Sequence, residues 1–132
     1  MIFVDTSFWI ALRMQRDAHH DAASALARAH FEAPLVTTNH VRGETWTFVR
    51  RRSGHAAAVH FLDHLHASRL IEVIGVDDDL ERDALAWLRQ HDEREYSFVD
   101  ATSFAVMRKR RIRDALAFDG DFAAAGFVEL RP

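Results

Sequence analysis

The stretch covering residues 96–122 constrains the fold of this chain more than any other part of its sequence. It reads as a helix that begins with an acid, followed by a short apolar strand that ends with acids. Ser97 is a favourable N-cap residue, and Asp100 three residues later completes the pattern of a capping box. The apolar run 115–118 predicts a buried strand that stops at Asp119, before a glycine. One acid at a helix start and another at a strand end are therefore available for a common site.

The rest of the sequence repeats this alternation of short apolar runs and helical segments. Predicted strands cover residues 1–4, 35–37, 70–76 and 115–118, with a fifth at a sheet edge over 127–130. Predicted helices cover residues 6–15, 19–31, 39–52, 55–68 and 77–91, and another begins at Ser97. Repeated alternation is typical of a parallel sheet with helices on both faces. We therefore expect an α/β fold, a three-layer α/β/α sandwich with a central parallel sheet of four to five strands.

Composition places these elements in one domain. The chain has 132 residues, 48% of them hydrophobic and two of them proline, without a linker or low-complexity segment. We treat residues 1–132 as a single domain. No apolar run approaches the ~18 residues that a membrane span requires, and the lack of cysteine excludes disulfides and thiolate metal sites. The formal net charge is −3, so no large positive field marks a nucleic-acid binder.

Three acids converge on one edge of the predicted sheet. Asp5 follows the first strand, Asp119 follows the fourth, and Asp100 begins the helix that leads into the fourth strand. Ligands of parallel sheets bind at the carboxyl ends of the strands. Each acid also has a local explanation: Asp5 as a helix N-cap, Asp100 as the acid of a capping box, and Asp119 as a turn residue. Asp121 is interpreted as the cap of a last short helix, so the functional interpretation rests on convergence.

Glu44 is the fourth candidate and has no such local explanation. Helical periodicity predicts that it shares an apolar face with Val41 and Phe48. No basic residue follows at the third or fourth position, where a surface acid would find a pairing partner. An unpaired carboxylate on a buried face is costly unless a charge compensates it. We therefore expect Glu44 to be a buried acid of the site.

Four segments carry a family resemblance. They are Val4-Asp5-Thr6-Ser7, Thr37-Thr38-Asn39 followed by Glu44, Ser97-Phe98-Val99-Asp100-Ala101, and Ala-Leu-Ala-Phe-Asp-Gly-Asp-Phe over residues 115–122. In this order and spacing, over nearly the whole chain, they resemble the PIN-domain ribonucleases, and more narrowly the VapC-type toxins of bacterial toxin–antitoxin pairs. Two positions depart from the commonest pattern: Ala117 stands where threonine is frequent, and Asp121 stands where the residue varies.

The resemblance implies an acidic site formed by Asp5, Glu44, Asp100 and Asp119, with Asp5 and Asp100 nearest a metal. Clustered carboxylates raise one another's pKa and cannot all stay ionised without a cation. Oxygen ligands without cysteine favour Mg²⁺ or Mn²⁺. The implied reaction is the attack of a metal-activated water on an RNA phosphodiester. Glu44 and Asp119 would orient the water or a second ion.

The same resemblance implies the partners of a cytoplasmic enzyme: an RNA substrate, a cognate antitoxin protein and a second copy of the chain in a homodimer, with no membrane. An amphipathic antitoxin helix would lie in an apolar groove. Candidate positions for such a groove are Trp46, Ala56, Ala57, Val59 and Phe61. An antitoxin arginine would pair with the site carboxylates and compete with the metal.

Other patterns point to weaker alternatives. The basic runs 50–52 and 108–111 end helices, where cations are favourable without a ligand, although an enzyme that cuts a polyanion also needs such cations. His60 and His64 have a zinc-binding spacing, but no third ligand accompanies them. A receiver-type signalling domain would place adjacent acids after the first strand and a lysine at a late strand end, whereas Lys109 is predicted to be helical. A catalytically inactive PIN-like binding module is the other alternative, and the presence of all four acids counts against it.

Overall fold

The structure, a computed structural model, describes residues 1–132 and contains five strands and seven helices. The strands are β1 (Ile2–Val4), β2 (Leu35–Thr38), β3 (Ile71–Ile74), β4 (Asp114–Leu116) and β5 (Val128–Glu129). The helices are α1 (Thr6–Arg13), α2 (His20–His30), α3 (Asn39–Ser53), α4 (His55–Ala67), α5 (Asp78–Gln90), α6 (Phe98–Arg110) and α7 (Asp121–Ala124). Each predicted element is present, with ends that shift by one or two residues. None of the helices is long and apolar enough to cross a membrane.

All five strands form one parallel sheet in the order β3-β2-β1-β4-β5. Ile2 pairs with Leu35 on one side and with Asp114 on the other, so β1 is the central strand. Its three residues are buried, as is typical of a strand in a parallel sheet that helices cover. The expected α/β fold is confirmed, and β5 is the predicted edge strand.

Two aromatic clusters fill the core around this sheet. The ring of Trp9 in α1 lies 5.9 Å from that of Phe31 and 5.8 Å from that of Phe61, measured between centroids. The ring of Phe104 in α6 lies 4.9 Å from that of Phe122. Trp9, Phe61, Phe104 and Phe122 are fully buried. These contacts anchor α1 and α6, the two helices that begin beside candidate acids.

Side-chain caps fix the starts of these helices. The Asp5 carboxylate caps α1 by accepting a hydrogen bond from the backbone N of Ser7. At α6, the Ser97 hydroxyl oxygen accepts from the backbone N of Asp100 at 2.9 Å, and the Asp100 carboxylate accepts from the backbone N of Ser97 at 3.0 Å. The predicted capping box is confirmed. Capping therefore holds both acids where a helix meets the sheet.

Two burial predictions are wrong. Glu44 is exposed, because the buried side of α3 is the row Val41, Thr45 and Val49. Successive residues of a helix point about 100° apart, so a residue adjacent to Thr45 falls outside that row. Phe61, predicted to belong to an exposed partner groove, is fully buried because it packs against the Trp9 ring.

Candidate active site

Asp5 lies at the carboxyl end of the central strand. Its Oδ2 accepts hydrogen bonds from the backbone N of Ser7 at 3.1 Å and from the Ser7 hydroxyl at 2.7 Å. Its own backbone N donates to the carbonyl oxygen of Leu116 at 3.0 Å. Only 3% of the residue is exposed. The pairing that makes β1 the central strand therefore also buries this carboxylate.

Ser7 joins Asp5 to the segment that carries Asp119. The hydroxyl that donates to Asp5 also accepts a hydrogen bond from the backbone N of Phe118 at 3.1 Å. Ser7 thus holds the carboxyl ends of β1 and β4 together. Sequence analysis missed this role, because the second partner of Ser7 is 111 residues away.

Three carboxylates meet beside the first turn of α6. Asp100, Asp119 and Asp121 place carboxylate oxygens within 4.8 Å of one another. Asp100 is buried, Asp121 is half-buried and Asp119 is exposed, so the cluster opens to solvent. The structure therefore brings together two of the predicted site acids and adds Asp121, which the sequence alone assigned to a helix cap.

Burial and mutual repulsion raise the pKa values of the site acids. Burial raises the pKa of Asp5 to about 7, and the charges of Asp119 and Asp100 add to this effect, while the Ser7 hydrogen bonds oppose it. Burial raises the pKa of Asp100 to about 6, with further contributions from Asp119 and Asp121. The pKa of Asp119 is raised first by partial burial of its carboxyl group and then by the charge of Asp121. Asp5, Asp100 and Asp119 therefore interact as one electrostatic group.

Arg94 is the cation that pairs with this cluster. Its Nε donates to Oδ1 of Asp121 at 2.9 Å, and its Nη2 donates to the carbonyl oxygen of Asp119 at 3.4 Å. Asp121 is the first residue of α7 and makes no capping hydrogen bond, because Gly120, with φ of 81°, occupies the cap position. The interpretation of Asp121 as a helix cap is therefore wrong. One exposed arginine offsets only part of the charge of three acids.

Glu129 in β5 supports the same loop from the sheet edge. Its Oε1 accepts a hydrogen bond from the backbone N of Gly120 at 3.3 Å, and its Oε2 accepts from the backbone N of Ala123 at 3.0 Å. Its side chain is buried and pairs with Arg131 at 3.0 Å. The sequence analysis missed this residue, because only the tertiary fold brings β5 next to the Asp119 loop.

Glu44 does not belong to the group of acids whose charges act on one another. The charges that raise the pKa values of Asp5 and Asp100 do not include it. One helical turn before Glu44, on the same face of α3, the His40 ring packs against the Phe98 ring at 5.7 Å. That contact brings this face of α3 beside the start of α6. The role of Glu44 in the site stays a prediction.

The donor set fits a hard divalent cation. Every clustered side chain offers carboxylate oxygen, the ligand that Mg²⁺ and Mn²⁺ prefer. Burial and neighbouring carboxylates raise the pKa values of Asp5 and Asp100, so a bound cation would favour the charged forms of both acids. Next to Asp5, the hydroxyl of Thr6 is buried and has no hydrogen-bond partner in the protein. The carboxylate cluster can therefore bind a divalent cation.

Comparison with known proteins relates this geometry to a family. The PIN domain model matches residues 2–128. The chain is 59% identical over 133 residues to the 23S rRNA-specific endonuclease VapC20 of Mycobacterium tuberculosis, a match that covers 100% of this chain and 99% of the relative. It is 27% identical over 124 residues to a VapC ribonuclease of Archaeoglobus fulgidus, covering 91% of this chain and 78% of the relative.

Solved structures share the fold. The crystal structure of Mycobacterium tuberculosis VapC20, described as a sarcin–ricin loop cleaving toxin, matches with a TM-score of 0.94 and 56% identity over 100% of both chains. A toxin–antitoxin complex from Klebsiella pneumoniae matches with a TM-score of 0.70 and 18% identity, covering 98% of this chain and 97% of the other. At that identity the second match shows the fold alone. Sequence and structure together show that the chain belongs to the PIN-domain family, and within it to the VapC group.

Proposed function

We propose that this chain is a metal-dependent endoribonuclease that acts as the toxin of a bacterial toxin–antitoxin pair. The observation that carries the proposal is the electrostatic group of Asp5, Asp100 and Asp119, whose pKa values are raised first by burial and then by neighbouring carboxylates. Such a group is unfavourable in a folded protein until a cation balances it. The identity of 59% to a protein named as a 23S rRNA-specific endonuclease supports RNA, and specifically large-subunit ribosomal RNA, as the substrate class.

Asp5 and Asp100 would hold the metal, because they are the two buried acids of the group. Ser7 donates to one oxygen of Asp5, and the backbone N of Ser97 donates to one oxygen of Asp100, so both carboxylates are held in place. When bound, Mg²⁺ or Mn²⁺ lowers the pKa of a coordinated water and polarises a phosphoryl oxygen.

The two exposed acids, Asp119 and Glu44, would act on the attacking water. Asp119 and Glu44 are open to solvent and would orient the attacking water and accept its proton. The water oxygen bonds to phosphorus and one bond from phosphorus to a ribose oxygen breaks, which leaves a phosphate at one RNA end and a hydroxyl at the other.

The proposed inhibitor is the cognate antitoxin. Trp46, Ala57 and Val59 are half-buried and Ala56 is exposed, so these positions on α3 and α4 are available to an amphipathic helix. An antitoxin arginine that paired with the site carboxylates would compete with the metal. The family resemblance is also the basis for proposing a homodimer.

Replacing Asp5 or Asp100 by Asn keeps the side-chain shape and removes one charge. We expect each variant to lose RNA cleavage by at least about 100-fold, because the metal loses a charged ligand. Cleavage of ribosomal RNA is measured with Mg²⁺, with Mn²⁺ and with EDTA, and EDTA should abolish the wild-type activity. Asp63→Asn, at an exposed acid of α4, is the matched control and should cleave normally. Wild-type turnover in the Asp5 or Asp100 variant would refute the assignment.

Replacing Glu44 by Gln separates a catalytic role from a structural one. Because Glu44 is exposed, we expect the free energy of unfolding to change by less than about 0.5 kcal/mol. RNA cleavage should still fall by roughly tenfold or more, since a carboxylate that accepts a proton is lost. The measurements are urea unfolding and initial cleavage rates, with Glu32→Gln as an exposed control. Normal cleavage by the Glu44 variant would exclude Glu44 from the site.

The raised pKa values predict how the stability of the metal-free protein depends on pH. Between pH 4 and pH 7 the folded chain keeps protons that the unfolded chain has released, because the pKa of Asp5 rises from 3.8 to about 7 and that of Asp100 to about 6. The free energy of unfolding should therefore fall by roughly a few kcal/mol as pH rises through this window. Added Mg²⁺ should stabilise the protein more at pH 8 than at pH 5.

The comparison that isolates the site is between variants that differ at one carboxylate and share every other titratable group. Asp5→Asn should flatten the pH dependence measured by urea unfolding in EDTA, whereas Asp63→Asn should leave it as in the wild type. An Asp5→Asn variant with the wild-type slope would show that Asp5 does not titrate in this window.

The antitoxin proposal is tested in growing bacteria. Expression of the wild-type chain alone should arrest growth, and expression of Asp5→Asn should not. Co-expression of the protein encoded immediately beside the chain should restore growth, and the two proteins should co-purify. Harmless expression of soluble, folded wild-type protein would favour the inactive binding module.

A further inference from the structure

A row of side chains runs along α3 away from Glu44. Phe48, Arg51 and Arg52 follow Glu44 by four, seven and eight residues, so the four residues share one helical face. Together with Thr47 they line a cavity of 460 Å³. With a rise of 1.5 Å per residue, the two arginines lie about 11 Å along the helix from Glu44.

A second cavity extends this row to the segment between α1 and α2. It has a volume of 490 Å³, shares Phe48 and Arg52 with the first cavity, and adds Arg16 and Asp17. The Asp17 carboxylate already accepts a hydrogen bond from the backbone N of His19 at 2.8 Å. We refer to Arg16, Phe48, Arg51 and Arg52 as the arginine strip.

The cations of the arginine strip are unpaired. Arg16, Arg51 and Arg52 are exposed, and no carboxylate of the protein lies within ion-pair distance of them. Glu44, at the start of the row, also lacks an ion-pair partner. Other arginines do pair with carboxylates, namely Arg82, Arg94, Arg110 and Arg131. Three arginines without an ion-pair partner therefore line the two cavities that share Phe48.

Phe48 orders one of these cations. The guanidinium carbon of Arg52 lies 5.0 Å from the centroid of the Phe48 ring. The ring holds the planar guanidinium of Arg52 in one orientation, and its N–H donors remain available to another ligand. Phe48 is thus a positioning residue for Arg52.

We propose that the arginine strip binds the phosphates of the RNA strand that leads away from the scissile bond. The inference rests on the proposed ribonuclease function. Glu44 precedes the strip on the same face of α3, and His40 one turn earlier packs against Phe98 at the start of α6. Because α6 carries Asp100, a strand that is cleaved at the acidic cluster and continues along α3 would place successive phosphates near these arginines. Arginine binds phosphate through paired hydrogen bonds, and such contacts supply most sequence-independent affinity for nucleic acids. The position of the strip, on the same face of α3 as the candidate acid Glu44, favours an RNA strand over an acidic protein segment.

The double variant Arg51→Gln/Arg52→Gln tests this proposal in an Asp100→Asn background, which keeps the RNA intact. Arg28→Gln/Arg89→Gln is the matched control, because it removes the same charge from the last turns of α2 and α5. Binding of a short fluorescein-labelled single-stranded RNA is measured by anisotropy in EDTA at several salt concentrations. The strip variant should bind about tenfold more weakly at low salt, and its salt slope should fall by about 1.4, the value for two lost phosphate contacts. The control should match the Asp100→Asn parent.

In the cleavage-competent background, the strip variant should raise KM for RNA more than it lowers kcat. The reason is that the arginines would contact the RNA strand away from the scissile bond and would not act on the reacting atoms. Phe48→Leu should also weaken RNA binding, but by less, since the arginines remain.

RNA affinity and salt slope equal to those of the control would overturn the proposal. So would normal RNA binding combined with loss of antitoxin binding. If the wild type cleaves no RNA but the strip variant still loses RNA affinity, the ribonuclease proposal fails and the strip assignment stands.

Discussion

Repulsion among carboxylates at one edge of the parallel sheet is the constraint on which the rest of this structure depends. The central strand ends at Asp5, and the strand beside it leads to Asp119, so the topology itself forces these charges together. Burial then makes the charged forms more costly. The fold tolerates the cluster because each acid accepts a hydrogen bond from nearby backbone: Asp5 from Ser7, Asp100 from Ser97, and Asp119 from Asp121. The same bonds that cap helices and turns thus hold the candidate site in place.

Local signals in the sequence were sufficient to predict the framework. Alternating apolar runs and helical segments predicted a parallel sheet of four to five strands, because that alternation has few other solutions, and the structure has five. The capping box of Ser97 and Asp100 depends on residues three apart, so it is visible in the sequence and present in the structure. Asp5 and Asp119 could be placed together because the carboxyl ends of parallel strands meet at one edge. Local sequence signals and sheet topology therefore predict the same candidate site.

The features that the sequence did not predict depend on which side of an element faces the core. Glu44 was placed on the buried face of α3, but the apolar positions of that helix permit two adjacent stripes, and packing chose the one through Thr45. Arg94 and Asp121 pair across 27 residues, and Ser7 meets Phe118 across 111. The helix and strand periodicities that can be read from a sequence do not relate residues so far apart. The additional acid and the serine that joins two strand ends therefore become visible only when the chain is folded.

The hydrogen bonds that hold the acids also set the denticity of the site. One oxygen of each carboxylate is occupied by a backbone N–H: Oδ2 of Asp5, Oδ2 of Asp100 and Oδ1 of Asp119. At Asp5 this oxygen accepts two hydrogen bonds, from the backbone N and the hydroxyl of Ser7, so Oδ1 is left for coordination. At Asp100 and Asp119 the bonded oxygen keeps one lone pair, so the other oxygen is the better ligand. Ca²⁺ takes six to eight oxygens and often uses both oxygens of a carboxylate, whereas Mg²⁺ takes one or two carboxylates and completes its octahedron with water. Capping thus biases the proposed metal site towards the smaller ion.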